Sequence, residues 1–304
     1  MKIAITGASG LIGQALERAL SADGHEVIRL VRRTPRTAVE HRWDPQHHRI
    51  DPAVLADVDS VVNLAGTPIR PRPFTSSYKQ RLLTSRLDAT TTVSDALAVA
   101  AAADPARPRV LLSASAVGYY GDTGAREVTE QDPAGSDFLA RLCVEWEAAT
   151  ESAEAAGIRV VHLRSGLVLD RSAMLVRVLG PVFRLGLGGR MGSGRQYWPW
   201  ISLDDEVGAI RHLLTADVSG PVNLTGPQPA TNADFVAELG RQLHRPTVLP
   251  VPSFALITAL GEFGRSSVVG GQRALPARLQ ESGYAFTHAD LPSAVRAAFG
   301  TSPR

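Results

Sequence analysis

The sequence predicts an α/β fold, a Rossmann-type doubly wound parallel sheet with a smaller C-terminal substrate lobe. Two observations predict it. Through the first third of the chain, short β-branched runs alternate with helical patterns, the signature of βαβ units. The first of those runs leads directly into Gly7-Ala8-Ser9-Gly10-Leu11-Ile12-Gly13 and then a helix, the layout of a phosphate-binding turn.

The elements follow in order. Lys2 to Thr6 reads as strand one, Glu26 to Val31 as strand two, Ser60 to Leu64 as a third and Arg109 to Ser113 as another. Between them, helices run from Leu11 to Ser21 and from Arg81 to Ala103, the second Ala-rich and stopped by Asp104-Pro105. A helix from Phe138 to Ala156, ended by Gly157, precedes a strand from Ile158 to Leu163. Between Leu167 and Arg195 the chain is rich in Gly and Arg and shows no clear βα period. It returns to the sheet near Trp200 to Asn223, then enters a tail with Pro250, Pro252, an apolar helix from Phe254 to Leu260 and Gly270-Gly271-Gln272-Arg273. The expected division is a nucleotide-binding domain over 1–165, completed by about 200–225, and a substrate lobe over 166–199 and 226–304.

With 304 residues, 44% of them hydrophobic, the chain can bury a large core. Its 32 basic and 30 acidic side chains nearly cancel, so no nucleic-acid partner is expected. Cys143 is the single cysteine and no Cys/His set has zinc spacing, so no metal is expected and a reducing, cytoplasmic setting fits. No run approaches the ~20 apolar residues that span a bilayer, and no cleavable leader is visible. A monomer or homodimer without membrane contact is the expectation.

In the opening turn, Gly7, Gly10 and Gly13 allow a tight turn, close approach to a pyrophosphate and close helix-to-strand packing. Ser9, Leu11 and Ile12 complete the turn, and the helix N-terminus favours an anion there. An acid at the end of strand two would bind a free ribose 2′-hydroxyl. Here stand Arg32 and Arg33, whose guanidinium groups suit a 2′-phosphate, so NADP(H) is expected. The alternative is a solvated strand end.

Taken with Asn63-Leu64-Ala65-Gly66 and Ser113-Ala114-Ser115-Ala116-Val117-Gly118-Tyr119-Tyr120-Gly121, the turn resembles that of the extended short-chain dehydrogenase/reductase superfamily. Ser85-Arg86, Asp137-Phe138-Leu139-Ala140-x-x-Cys143-x-x-Trp146-Glu147, Gly192-x-Gly194-x-Gln196-x-x-Pro199-Trp200-Ile201 and Gly271-Gln272-Arg273 look like its atypical epimerase-family branch, described as nucleoside-diphosphate-sugar-epimerase-like and carrying a C-terminal domain of unknown function. The resemblance spans nearly the whole chain. It implies cofactor contacts at Leu64, Ala65, Gly66 and Arg86, and an approach of Gly166 and Leu167 to the nicotinamide end.

Typical members of that superfamily carry a Tyr-x-x-x-Lys pair, in which the lysine lowers the tyrosine pKa. Aligned on the later glutamate, this chain has Leu139 and Cys143 in those places, and its only lysines are Lys2 and Lys79. The remaining acid–base candidates are Ser115 and Tyr119. Ser115 matches the superfamily's active-site serine once one residue is inserted after it; it would orient a substrate carbonyl or else satisfy loop backbone. Tyr119 would donate a proton or else pack the loop. Tyr120 corresponds to a structural tyrosine, and Cys143 beside apolar neighbours reads as an inert thiol.

Arg171, Arg177, Arg184, Arg190 and Arg195 occur with no acid among them, so an anionic small-molecule substrate suits that stretch, as does a solvated loop. Gln196, Trp198, Pro199 and Trp200 suit the lining of a pocket for a flat or sugar-like group, and Trp200 suits the core equally well. Asp204 and Asp205 suit a hydrogen-bonded turn at least as well as catalysis, and His41, His47 and His48 suit a surface loop. The functional expectation is an NADP(H)-dependent oxidoreductase or epimerase-like enzyme acting on a small carbonyl or sugar-like substrate without the usual pair. The alternative is a redox-inert NADP(H)-binding regulatory protein.

Overall fold

The computed structural model describes residues 1–299; residues 300–304 of the expected substrate lobe lie outside that range. In chain order the strands are β1 (Lys2–Thr6), β2 (Glu26–Val31), β3 (Glu40–Asp44), β4 (Arg49–Ile50), β5 (Ser60–Asn63), β6 (Val110–Ala116), β7 (Glu127–Val128), β8 (Arg159–Ser165), β9 (Leu167–Leu169), β10 (Tyr197–Trp198), β11 (Trp200–Ser202) and β12 (Gly220–Leu224). Eight of them form one sheet in the order β12-β8-β6-β5-β1-β2-β3-β4, parallel except for the antiparallel β3–β4 pair. This is the Rossmann-type sheet that the alternating pattern predicts.

Both faces of the sheet are covered because its strands alternate between two apolar clusters. Ile3 and Ile5 of β1, Val62 of β5 and Leu112 of β6 join a core shared with α1 (Leu11–Ala22). Ala4, Val61 and Leu111 face the other way, onto a core with α2 (Ser76–Ala103). The next helices are α3 (Phe138–Ala148), α4 (Glu151–Ala155), α5 (Met174–Arg184), α6 (Leu203–Thr215), α7 (Asn232–Leu243) and α8 (Ser253–Gly264). Of these, α6 joins the first core through Val207, Ala209, Ile210 and Leu213. A third core, with Phe183, Trp198, Trp200, Phe235 and Leu239, gathers α5, α7 and β9–β11. No described helix is long and apolar enough to cross a membrane.

Three departures from the sequence reading have local causes. The helix expected over Phe138–Ala156 is two helices, because the backbone flattens at Thr150 (φ −91°, ψ 1°), whose hydroxyl donates to the Glu147 carbonyl. The Gly- and Arg-rich stretch contains α5, whose buried Val176, Leu179, Gly180 and Phe183 keep helical spacing although Gly180 and Pro181 disguise it. Trp198 and Trp200 are core residues, not pocket lining, and Trp200 packs so tightly on Gly226 that a Cβ there would lie 2.6 Å from its ring.

The sheet ends are tied by a buried polar chain. Thr6 Oγ1 donates to Asn63 Oδ1 at 2.7 Å, Asn63 Nδ2 donates to Thr90 Oγ1 at 2.9 Å and to Ser113 Oγ at 3.3 Å, and Trp146 Nε1 donates to Thr90 Oγ1 at 3.0 Å. One residue thereby joins β1, β5, β6 and α2. Asn63→Ala strands several of these buried groups and is expected to cost about 2–3 kcal/mol, measured as the shift in a denaturant-unfolding midpoint at constant slope.

Candidate cofactor site and its polar floor

The opening turn has the geometry its glycines imply. Gly7 sits at φ +67°, and a Cβ on it would lie 2.7 Å from the Leu64 carbonyl oxygen. At Gly13 a Cβ would lie 2.4 Å from the Gly7 carbonyl oxygen, so only glycine lets α1 start this close to β1. Gly10 caps α1 without a side-chain bond, and the first turn holds no acid, which leaves the helix end open to an anion. Ser9 is exposed in the turn, while Leu11 and Ile12 turn their side chains toward the core and can offer a ligand only backbone.

Beyond β2 the two arginines part ways. Arg33 grips Glu40 with two bonds, at 2.8 and 2.7 Å, and together with the Arg36 N–H holds that carboxyl down to about 2. No acid directly follows strand two in sequence; Glu40 arrives from β3, which the fold lays beside β2. Arg32 is exposed and has no hydrogen bond or ion pair with a described residue.

Leu64 and Ala65 donate their N–H groups to Thr6 Oγ1 at 3.0 and 3.1 Å, so those donors already serve the fold. Gly66 lies exposed against Arg86, whose Cγ would be 3.3 Å from a Cβ there. Arg86 is 7% exposed, donates to the Thr67 and Leu82 carbonyls, and stacks 4.7 Å from the Trp146 ring. Its Nε has no partner and no described carboxylate pairs with it; burial lowers its pKa to about 10. A buried cation without an anion is a cradle for one.

The two acid–base candidates stand in different surroundings. Ser115 is buried and donates to Glu147 Oε1 at 2.6 Å, which uses its only proton. Glu147 also receives two bonds at 2.8 Å from Arg164, whose third arm donates to the Tyr120 hydroxyl at 3.0 Å. Tyr120 in turn donates to Asn223 at 2.7 Å, and burial raises its pKa to about 12. Tyr119 is half-buried, with the Arg164 guanidinium 3.4 Å above its ring, and its hydroxyl bonds to no described residue. Glu147 closes the motif quoted above, but Arg164 lies one residue past the predicted strand, and only the fold brings the two together. Cys143 is buried with its thiol pushed up to about 12, the inert state expected.

Gly166 and Leu167 spend their N–H groups on the Leu224 and Pro199 carbonyls, at 2.9 and 2.6 Å. The close approach that requires glycine at 166 is to the Pro199 carbonyl, 2.3 Å from a Cβ there. Next to them lies a carboxyl that sequence reasoning missed. Glu206, on the first turn of α6, is fully buried and accepts a 2.6 Å bond from Ser165, while its second oxygen has no partner. Burial raises its pKa to about 7. Asp205 beside it is structural: Ser202, Tyr284, Thr287 and His288 all donate to it.

Arg177, Arg184, Arg190 and Arg195 are exposed, the first two on α5. Gln196 is buried and donates to the Met191 and Val268 carbonyls. The Gly271-Gln272-Arg273 segment straps the loop after Tyr120: Arg273–Ala274 pairs in parallel with β7, Thr123 N–H donates to the Gly271 carbonyl, and Gln272 Nε2 donates to the Gly121 carbonyl.

Residues 3–225 match the model of the NAD dependent epimerase/dehydratase family, and residues 251–298 match a domain of unknown function, DUF1731. Epimerase family protein Mb2239 of Mycobacterium bovis is 48% identical over 96% of both chains. The crystal structure of human epimerase family protein SDR39U1 (isoform 2) with NADPH is similar at TM-score 0.84 and 31% identity, covering 98% of this chain and 99% of that one. UDP-glucuronic acid 4-epimerase from Bacillus cereus, solved with NAD, shares the fold at TM-score 0.76 and 17% identity, over 98% of this chain and 95% of that one.

Glu206 has a consequence for stability. Its acid lies at about 7 in the fold against an ordinary 4.5, so the unfolded chain ionises first and gains on the fold as pH rises between those values. E206Q removes that penalty. Wild-type stability is expected to fall relative to E206Q from about pH 4.5 to about pH 7 and to level off above, by at most about 3 kcal/mol, as read from unfolding curves across pH.

Proposed function

The chain belongs to the NAD dependent epimerase/dehydratase family, and from that premise we propose that it is an NADP(H)-dependent oxidoreductase or epimerase-like enzyme acting on a small carbonyl or sugar-like substrate. The carrying observation is the pairing of an open glycine turn, Gly7 to Gly13 under the uncapped end of α1, with Arg32, which directly follows β2 and pairs with no described residue. The NADPH in the human SDR39U1 structure supports the same cofactor.

On this reading Gly7, Ser9, Gly10 and Gly13 pass the pyrophosphate, with the backbone of Leu11 and Ile12. Arg32 holds the 2′-phosphate, and Arg33 sets the strand end through Glu40. Leu64, Ala65 and Gly66 flank the middle of the molecule through carbonyls and side chains, and Arg86 takes an anionic group of cofactor or substrate. Gly166 and Leu167 border the nicotinamide end. When bound, the cofactor supplies or accepts a hydride. Tyr119, fixed on Arg164 with a free hydroxyl, is the proton donor. Ser115 has no proton to offer a carbonyl while it holds Glu147, so its role is to fix that carboxylate.

A second reading, a redox-inert NADP(H)-binding regulatory protein, is favoured by Leu139 and Cys143 in the places of the usual pair and by the commitment of Ser115. Titration of NADPH fluorescence separates the cases. Wild type is expected to bind NADPH, and Arg32→Ala to lose roughly tenfold or more of that affinity with little change for NADH. With NADPH and a panel of carbonyls and nucleotide sugars, turnover that Tyr119→Phe lowers ~100-fold supports the enzyme. Tight binding with no turnover across the panel favours the regulatory reading, and no binding removes both.

A further inference from the structure

Ser165 and Glu206 belong to none of the roles above, yet they meet at the carboxyl end of β8. Ser165 ends β8, in register with Ala116 at the end of β6 and Leu224 at the end of β12. Ser165, a half-buried residue, therefore stands at the carboxyl edge of the sheet, where open α/β sheets bind their ligands. The backbone donors that follow it, those of Gly166 and Leu167, are spent on Leu224 and Pro199. The Ser165 hydroxyl is a side-chain donor at this strand end, and it donates to Glu206.

Glu206 needs more than it has. One hydroxyl bonds one oxygen, the other oxygen is unpartnered in a fully buried position, and no described cation pairs with it. The charged groups on the elements around it are committed elsewhere or exposed. On α1, Glu17 pairs with Arg29 and Arg18 is exposed. On β8, Arg164 binds Glu147, Arg159 donates to the Leu213, Leu214 and Val218 carbonyls, and His162 bonds Thr150. On α6 itself, Asp204 is exposed, Asp205 holds Tyr284 and His288, Arg211 pairs with Asp23 and His212 bonds Ser282. Strands β6, β9 and β11 carry no titratable side chain. Tyr284 is the one neighbour that feels Glu206, its proton held more tightly by burial first, then by Asp205 and Glu206. A lone carboxyl so placed carries its proton into the neutral range.

We propose that Ser165 and Glu206 form a carbonyl-binding pair at the nicotinamide end of the crevice: the Glu206 carboxyl O–H donates to Ser165 Oγ, and the Ser165 O–H donates to the carboxamide carbonyl of the cofactor. The pair rests on the NADP(H) reading and works only with the proton on Glu206. An ionised Glu206 keeps the serine proton for itself, so the bound molecule loses its donor. Cofactor binding and proton binding are thereby linked.

The test compares NADPH with adenosine 2′,5′-bisphosphate, which shares the 2′-phosphate but has no carboxamide, between about pH 6 and about pH 8. In wild type the NADPH affinity is expected to fall roughly tenfold more than that of the bisphosphate, the effect of about one pKa unit. E206Q, whose amide donates to Ser165 as the neutral acid does, is expected to hold the low-pH ratio throughout, and S165A to make the two profiles coincide. Infrared difference spectra of wild type against E206Q should show a protonated carboxyl that titrates in the neutral range and shifts when NADPH binds. Parallel profiles for NADPH in wild type and E206Q, or a Glu206 already ionised at about pH 6, overturn the pair while leaving the cofactor reading intact. If NADPH fails to bind wild type at any pH, the cofactor reading falls and the pair with it.

Discussion

The Arg164–Glu147 ion pair sets the conditions for everything at the mouth of the sheet. It is buried, bidentate, and shared with Ser115 on one side and Tyr120 on the other. Breaking a pair of this kind by removing one partner leaves a buried charge uncompensated, which typically costs about 3–5 kcal/mol, a large part of a margin of roughly 5–15 kcal/mol. The pair therefore does two things at once. It pins β6, α3 and β8 together at their ends, and it neutralises a cation that would otherwise be available to a ligand or to the Tyr119 phenol. The helix that bears the Tyr-x-x-x-Lys pair in typical relatives here bears a carboxylate engaged by an arginine from the sheet.

Against that neutralised floor, the cations with no acid beside them stand out. Arg86 is buried against two backbone carbonyls and the Trp146 ring, and Arg32 pairs with no described residue while Arg33 is gripped by Glu40. Arg32 directly follows β2, and Arg86 on α2 reaches the Thr67 carbonyl in the segment after β5. An anionic ligand spanning them would satisfy what the protein alone leaves open. The charge pattern thus points to the same crevice as the backbone geometry at Gly7 and Gly13, by independent physics.

The parts legible in the sequence were those governed by local rules. Short β-branched runs placed β1 and β2 to the residue, and glycine spacing placed the turn, because both depend on neighbours only a few positions away. The parts that were not legible depend on distant partners. Glu40 could not be seen as the acid of Arg33 until β3 was laid beside β2. The fate of Ser115 turned on Glu147 and Arg164, and the exposed or buried state of Glu206 turned on how α6 docks against β8. Alpha-helix α5 was hidden for another reason: Gly180 and Pro181 lower local helix preference, and tertiary burial of Val176, Leu179 and Phe183 overrides it.

The strap formed by Gly271, Gln272 and Arg273 bears on how the molecule is made. It closes the loop after Tyr120 through bonds between residues about 150 positions apart. Contacts of such long sequence separation form late, after the entropy of the intervening chain has been surrendered. During synthesis the glycine turn and the central strands can assemble while the last third is still emerging, since domains condense from the N-terminal side. The loop after Tyr120 cannot. A chain shortened before residue 271 would keep the glycine turn and leave the loop after Tyr120 unbraced, which makes completion of the polypeptide itself the last step in fixing that loop.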